Sequence, residues 1–346
     1  MSVAYQVVGK PMPRTDSRSK VLGQAVYADD FSLPRMLFVK VLRSPHPHAR
    51  MRGIKTSAAK KQPGIVAVLT AKDIPGENSI GPIIKDQQIL CADLVHYAGD
   101  AVALVAGETE QAAEAALERI EVDYEELPAL LDSLKALEPG APVVHEGGNI
   151  GTHVKIRRGD IETGFREAAA VVEGRFITPR VEHAYIEPEV ALAAVDAQGE
   201  VSVWSSTQYA HLDREEVARM LGLPQSRVRV RQMVTGGGFG GKLNPHAQCY
   251  AALVAWKTGR PAKVHYHRDE SLIASYKAHP YVIDMKLGAD REGKLTAIDA
   301  RLVGNTGAYL CHGRAVITKS VTHVSGVYYI PNIKADAYAV HTNTVP

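Results

Sequence analysis

The sequence is poor in cysteine: only Cys91, Cys249 and Cys311 occur in 346 residues, and they lie far apart. An odd number of cysteines at such spacing forms neither a disulfide framework nor a clustered zinc or iron–sulfur site. We therefore expect three buried free thiols. If the protein carries out redox chemistry, its iron–sulfur clusters must lie on another chain.

Long apolar runs and an excess of one charge sign are also missing. No stretch approaches the length of a membrane span, and residues 1–10 have neither the apolar core of a signal peptide nor a twin arginine. The 40 basic and 38 acidic side chains alternate along the chain and give a net charge of +2. This balance gives no reason to expect nucleic-acid or membrane partners, and we expect a cytoplasmic protein.

Length and periodicity predict a mixed α+β protein of about two domains. A Gly- and Pro-rich stretch at 138–151 has no periodicity and predicts a linker between domains at 1–137 and 152–346. In the first domain, alanines at helical spacing predict a helix over 108–120. The strands predicted there are 37–42, 65–69 and 101–105.

The second domain is predicted to open with a strand at 171–178 and a hairpin that joins 191–195 to 201–205. The next helix should begin near Asp213, whose carboxylate would cap it, and end at Gly222. Because the last strand comes at the end of the sequence with nothing after it to cover it, we expect an unpaired sheet edge and an incomplete chain. The later predicted strands are 263–267, 281–287, 295–303 and 334–342.

The most informative segment is 235–242, where five glycines surround Phe239. Such a loop lets the backbone approach a ligand closely and turn its amides toward an anion. Asn244 and Pro245 suit the cap and first residue of a helix that runs to about Lys257. The loop thus leads into an anion-binding helix terminus.

Three interpretations of this loop can be weighed on residues alone. A phosphate-binding P-loop needs Ser or Thr after Lys242, where the sequence has Leu243. A dinucleotide fingerprint can be drawn through Gly236, Gly238 and Gly241, but no acidic residue ends a second strand about twenty positions later. A purely structural glycine turn stays open.

Several motifs occur in one order across both domains. In the second they are 182–188, Thr207, Gln208, 236–242 and 305–309. In the first they are Val8, Gly9, Lys10, Pro11, Asp16, Gly23, Ala25, Tyr27, Asp30, Ser44, Pro45, His48 and Ala49. Together they resemble the xanthine dehydrogenase and aldehyde oxidase family of molybdenum hydroxylases over nearly the whole chain. The resemblance implies a hammerhead-type α/β domain followed by the first part of the molybdenum-cofactor-binding domain of a large subunit.

The resemblance also implies roles for residues of the glycine loop. Gln208 matches the glutamine that hydrogen-bonds an oxo ligand of molybdenum, so it is our candidate catalytic and cofactor-binding residue; a glutamine that only ends a strand is the alternative. Phe239, 31 positions later, matches the residue whose backbone lies beside the metal. The pterin dithiolene holds the metal, so neither residue is a direct side-chain ligand, and the fourteen histidines are interpreted mostly as surface or core residues. The glycines that give the backbone its approach are Gly237, Gly238, Gly240 and Gly241.

Two further positions bear on the substrate and the architecture. Leu243 stands where purine-oxidising members carry a glutamate, which implies a less polar substrate than xanthine. Glu187 matches an acidic position of the family, and a structural salt bridge is as good an interpretation as a functional role.

The function implied is hydroxylation of an aldehyde or N-heterocycle, with water as the oxygen source. The cofactor would be molybdenum–molybdopterin, in the plain or cytosine dinucleotide form, and electrons would pass to 2Fe-2S clusters and FAD on partner chains. The family's arginine-containing pterin loop and catalytic glutamate lie beyond these residues, so a second molybdopterin-domain chain or a missing C-terminal part would supply them. The alternative is a non-catalytic scaffold or assembly subunit with the same fold. Leu243 argues against a third hypothesis, a nucleotide-binding enzyme.

Overall fold

The computed structural model describes residues 5–346, which form eight α-helices and seventeen strands. No helix within this range is both long and apolar enough to cross a lipid bilayer. The helices are α1 (Ser17–Val21), α2 (Ser57–Lys60), α3 (Glu110–Leu117), α4 (Ile161–Arg166), α5 (Ala210–Leu221), α6 (His246–Thr258), α7 (Arg268–Ala274) and α8 (Gly313–Thr322). The strands are β1 (Leu37–Arg43), β2 (Ala49–Lys55), β3 (Ile65–Thr70), β4 (Ser79–Ile80), β5 (Gln87–Gln88), β6 (Leu94–Val95), β7 (Ala101–Gly107), β8 (Glu121–Glu126), β9 (Ile150–Arg158), β10 (Ala170–Ile177), β11 (Val190–Val195), β12 (Val201–Ser205), β13 (Val228–Gln232), β14 (Ala262–His265), β15 (Tyr281–Ala289), β16 (Leu295–Gly307) and β17 (Asn332–His341).

A seven-stranded sheet, which we call sheet A, crosses the predicted domain boundary. Its strand order is β13-β12-β11-β14-β1-β7-β3. Strand β1 pairs parallel with β14, with Leu37 opposite Ala262, so neighbouring strands come from the two sides of the predicted linker. The linker itself has no helix or strand before Ile150, where β9 begins. The division into domains at 138–151 stays a prediction.

Helix α6 forms the centre of the core against sheet A. Each of its first ten residues is buried, and small and branched apolar residues such as Ala251, Leu253 and Val254 pack into the same cluster as Leu37 and Val264 of the sheet. A helix that is apolar on all sides is stable only when protein surrounds it. This burial fixes the position of the glycine loop, which leads into the helix.

A second sheet of five strands has the order β10-β15-β16-β17-β9. Our prediction that the last strand leaves an unpaired edge is wrong. Strand β17 pairs parallel with β16 and antiparallel with β9, so it is an interior strand. The sequence pattern of β17 could not reveal this, because the covering strand β9 lies far away in the chain.

The predicted turns and helix ends agree well with the structure where they depend on residues close together in the sequence. The hairpin of β11 and β12 is confirmed, with Val195 opposite Val201. Gly222 and Gly259 end α5 and α6 in the left-handed conformation, at φ +67° and +65°. Helix α3 is confirmed as Glu110–Leu117, shorter at both ends than the predicted 108–120.

The predicted capping role of Asp213 is wrong. Helix α5 begins at Ala210, and the preceding turn is held by the Thr207 hydroxyl, which accepts a hydrogen bond from the Tyr209 N–H at 2.9 Å. Asp213 lies inside the helix, fully buried, and accepts a hydrogen bond from the Gln248 amide at 3.2 Å. Tertiary packing against α6 therefore determines its surroundings.

Cys91, Cys249 and Cys311 are free and buried, as predicted. Burial raises the pKa of all three thiols above the ordinary value. They are therefore protonated core side chains.

Candidate functional site

The candidate site lies where two neighbouring strands of sheet A end. Strands β12 and β13 run parallel, with Ser205 opposite Gln232, so the chain leaves both at the same edge of the sheet. Gln208 follows β12, and the glycine loop from Gly236 follows β13. Parallel strands thus bring together two motifs that are separated in sequence, as at the ligand crevices of other open sheets.

Gln208 is exposed and contacts the loop through its side chain. Its Oε1 accepts a hydrogen bond from the Gly240 N–H at 2.9 Å, and its backbone N–H donates to the Lys242 carbonyl at 3.1 Å. Within residues 5–346 its amide nitrogen has no hydrogen-bond acceptor. The amide oxygen therefore contacts the loop, while the amide N–H donors have no partner among the described residues.

Close packing against Gln208 explains the glycine at 238. A Cβ on Gly238 would lie 2.4 Å from the Gln208 Oε1, closer than real Cβ contacts. Gly240 has φ +103°, a conformation that side-chain-bearing residues rarely adopt. A side chain at 238 would have to displace the Gln208 amide, and one at 240 would strain the backbone.

Phe239 adopts a left-handed backbone conformation, with φ +52°, and its ring is 76% exposed. This conformation costs about 1–3 kcal/mol for a residue other than glycine. In the part of the chain that the structure describes, the backbone N–H groups of Gly237, Gly238 and Phe239 donate to no acceptor. The loop therefore presents three successive free donors next to the Gln208 amide, an arrangement suited to electron-rich ligand atoms.

A buried ion pair holds the start and the end of the loop together. The Glu187 Oε2 accepts hydrogen bonds from the Gly236 N–H at 2.7 Å and from the Lys242 Nζ at 2.8 Å. The Lys242 side chain is 1% exposed and lies over the Tyr185 ring, with Nζ 4.9 Å from the centroid. Burial lowers the pKa of Lys242, and Glu187 opposes that shift. The geometry supports the structural interpretation of Glu187.

Sequence reasoning missed Lys242 and Arg268 as parts of this support. The position of Lys242 directly after the glycines was the available signal for its role. The Arg268 guanidinium donates to the Tyr185 carbonyl and, at 3.1 Å, to the Ile186 carbonyl. No local pattern marks Arg268, because it reaches the site from α7.

Leu243 lies at a pocket of about 370 Å³ beside the loop. The leucine is half-buried and offers no polar group to the pocket. The other residues that line it include His183, Gly240, Tyr276, His279, Cys311 and His312. The histidine and tyrosine side chains can form hydrogen bonds with a bound molecule, whereas the Leu243 side chain cannot.

Comparisons with known proteins match both halves of the chain. The model of the aldehyde oxidase and xanthine dehydrogenase a/b hammerhead domain matches residues 22–128. The model of the molybdopterin cofactor-binding domain matches residues 144–346, which include the whole candidate site.

Individual relatives agree with these matches. The chain is 42% identical to the nicotinate dehydrogenase large molybdopterin subunit of Eubacterium barkeri, over 99% of this chain and 81% of that protein. It is 44% identical to a probable xanthine dehydrogenase subunit from Bacillus subtilis, over 97% of this chain but only 45% of that protein. The structure of the aldehyde oxidoreductase from Desulfovibrio gigas superposes with a TM-score of 0.93 at 31% identity, covering 96% of this chain and 38% of that one.

Proposed function

This chain belongs to the xanthine dehydrogenase and aldehyde oxidase family of molybdenum hydroxylases, and we propose that it binds molybdenum–molybdopterin and takes part in hydroxylation. The predicted fold, a hammerhead domain followed by a molybdenum-cofactor-binding domain, is confirmed by the two matched ranges. One observation carries the proposal. The Gln208 amide and three backbone N–H groups without an acceptor in the described chain lie close together where β12 and β13 end.

The donors at this edge fit the proposed group. Gln208 would donate to an oxygen ligand of the metal, and the N–H groups of Gly237, Gly238 and Phe239 would donate to acceptor atoms of the cofactor. No side chain in this set would ligate the metal directly. When bound, the cofactor supplies the two-electron redox chemistry in which water provides the oxygen.

The role of this chain is to position and stabilise. The Glu187 and Lys242 pair fixes both ends of the loop, so the donors are oriented before the ligand arrives. Preorganised donors stabilise charge in a transition state because they need not reorient during the reaction. Phe239 adopts a strained backbone conformation in this loop, and such strain is typical of functional loops.

For the substrate, we propose an aldehyde or a simple N-heterocycle. Leu243 offers no hydrogen bond to a polar ring atom, and an unpaired buried group on a purine would keep its desolvation cost. The relatives are named for different substrates: xanthine, nicotinate and aldehydes. Family membership therefore does not identify the substrate, and the proposal depends on the residues of the pocket.

We propose that electrons leave through 2Fe-2S clusters and FAD on partner chains, in a cytoplasmic complex. A second molybdopterin-domain chain, or residues beyond Pro346, would supply the remaining cofactor contacts and the catalytic glutamate. The cofactor would carry either the plain or the cytosine dinucleotide form of the pterin.

The test is metal and pterin analysis of the native complex, purified from cells supplied with molybdate. We expect about one molybdenum per copy of this chain, and lower occupancy in a Gly238→Ala variant, whose new Cβ would collide with Gln208. The matched control is Gly147→Ala, because a Cβ there meets nothing within 4 Å. A complex without molybdenum would refute the proposal and favour the scaffold alternative.

A further inference from the structure

Asp86, His145 and His341 bring one potential ligand atom each to within 4.8 Å of one another. Asp86 directly precedes β5, His145 lies in the stretch before β9, and His341 ends β17. None of the three belongs to the glycine loop or its supports. The fold thus assembles, from three distant segments, a set of oxygen and nitrogen atoms that metal ions prefer.

His341 is the strongest single indication of a ligand. It is 5% exposed, and its Nδ1 has no hydrogen-bond partner in the described part of the chain. A buried polar atom without a partner keeps an uncompensated desolvation cost, which a bound ligand would offset. Burial lowers the pKa of His341 to about 3, so the ring is neutral at pH 7 and can offer a lone pair to a metal.

The other two residues are held as metal ligands usually are. The Nε2 of His145 hydrogen-bonds the Ala308 carbonyl, which leaves the second ring nitrogen as an acceptor. Metal-binding histidines commonly donate their other N–H to a carbonyl in this way. The Asp86 carboxylate accepts hydrogen bonds from the backbone N–H groups of Leu310 at 2.6 Å and Cys311 at 3.4 Å. Burial raises the pKa of Asp86, and a cation would offset the cost of its buried charge.

We propose that Asp86, His145 and His341 bind one divalent transition-metal ion, with Zn²⁺ as the best match to two imidazoles and one carboxylate. In a tetrahedral zinc site with bonds of about 2.0–2.1 Å, ligand atoms lie about 3.3 Å apart. The present separations need to close by no more than about 1.5 Å to reach that geometry. A water molecule would take the fourth position. The ion would join three segments of the chain and stabilise the fold.

A second cluster of potential ligands provides a contrast. Glu110, Glu114 and His267 also lie within 4.8 Å of one another. There the Lys40 ammonium already lies among them, 3.0 Å from Glu114 and 2.9 Å from the His267 ring nitrogen. An ammonium supplies the positive charge at that position, so we expect no metal there.

The experiment uses the full chain, stripped with a chelator and then titrated with Zn²⁺ alone or Co²⁺ alone. We expect one ion per chain, a tetrahedral Co²⁺ absorption spectrum, and a rise in the thermal midpoint with Zn²⁺ but not with Mg²⁺. Asp86→Asn and His341→Asn should each weaken Zn²⁺ binding more than about tenfold. None of these measurements depends on molybdenum. A negative result would therefore refute the zinc site without refuting the proposed function.

His267→Asn is the matched control and should bind Zn²⁺ as the unaltered chain does. If all these variants bind equally, or if the unaltered chain takes up no ion, the site does not exist. Should the Asp86 and His341 variants fail to fold, the Co²⁺ spectrum of the unaltered chain decides. An octahedral spectrum typical of weak surface binding would overturn the proposal.

Discussion

Replacing Gln208 by alanine separates the stability role of this side chain from its proposed functional role. Among the described residues, the side chain makes one hydrogen bond, from the Gly240 N–H at 2.9 Å, and this bond lies at the surface. Its loss should lower the free energy of unfolding by about 0.5–1.5 kcal/mol. In a domain of this size, that change lowers the thermal midpoint by roughly 1–4 °C.

The effect on turnover should be larger. If the amide N–H orients an oxygen ligand of the metal, its loss removes about 1–3 kcal/mol of transition-state stabilisation. That energy corresponds to a fall in kcat of about 5- to 150-fold. A Gln208→Glu variant keeps an acceptor for the Gly240 N–H but loses the amide donor. We therefore expect Gln208→Glu to restore the thermal midpoint without restoring turnover.

The assay is steady-state turnover of the assembled complex, divided by its measured molybdenum content. Gln198→Ala is the matched control, because Gln198 is exposed in the β11–β12 turn and should change neither quantity. Full activity of Gln208→Ala at full molybdenum occupancy would contradict the reasoning. Recovery of turnover in Gln208→Glu would show that holding the loop is the whole role of the residue.

Three further predictions concern the ion pair that supports the loop, the buried carboxylate of Asp213 and the pocket residue Leu243. Glu187→Gln leaves the buried Lys242 ammonium without its counter-charge and should lower the free energy of unfolding, measured in urea, by about 3 kcal/mol. Adding Lys242→Met to this variant should restore part of the lost stability. A loss below about 1 kcal/mol in Glu187→Gln would contradict the argument. Burial raises the pKa of Asp213 from 3.8 to about 7, so the folded chain binds more protons than the unfolded chain between these values and stability falls as the pH rises. The stability of Asp213→Asn relative to the unaltered chain, measured in urea titrations, should therefore rise between pH 4 and 7. If the free energy of unfolding depends on pH in the same way for both proteins, the raised pKa of Asp213 is wrong. Leu243→Glu should raise kcat/KM for xanthine relative to an aldehyde, and the argument fails if the unaltered enzyme already oxidises xanthine at least as efficiently as aldehydes and simple N-heterocycles.

Local signals in the sequence predicted local structure. Alternating residues around a short turn predicted the β11–β12 hairpin, and glycines that tolerate positive φ predicted the ends of α5 and α6. The capping prediction for Asp213 failed because its partner, Gln248, lies on another helix. The edge position predicted for β17 failed for the same reason, since β9 covers it from a distant part of the chain.

The parts of the candidate site that lie in sequence motifs could be predicted. Gln208 and the glycine loop do come together, although their functional roles stay predictions. The pairing of Glu187 with Lys242 was not predictable, since 55 positions separate them and either could have been a surface residue. Asp86 and His341 are farther apart still, so no spacing pattern could suggest that they meet.

The pairing of β1 with β14 has a consequence for how the protein folds during synthesis. Leu37 lies opposite Ala262, which is 225 positions later in the sequence. The ribosome must therefore synthesise this whole stretch before β1 can pair with β14. The hammerhead segment can form its pairing of β1 with β7 early, but it exposes an open strand edge until the second half arrives. Distant pairings of this kind slow folding and expose intermediates to aggregation. Expression of the first 137 residues alone should therefore yield an aggregation-prone fragment, and chaperones that hold nascent chains should associate with this protein until β14 has emerged from the ribosome.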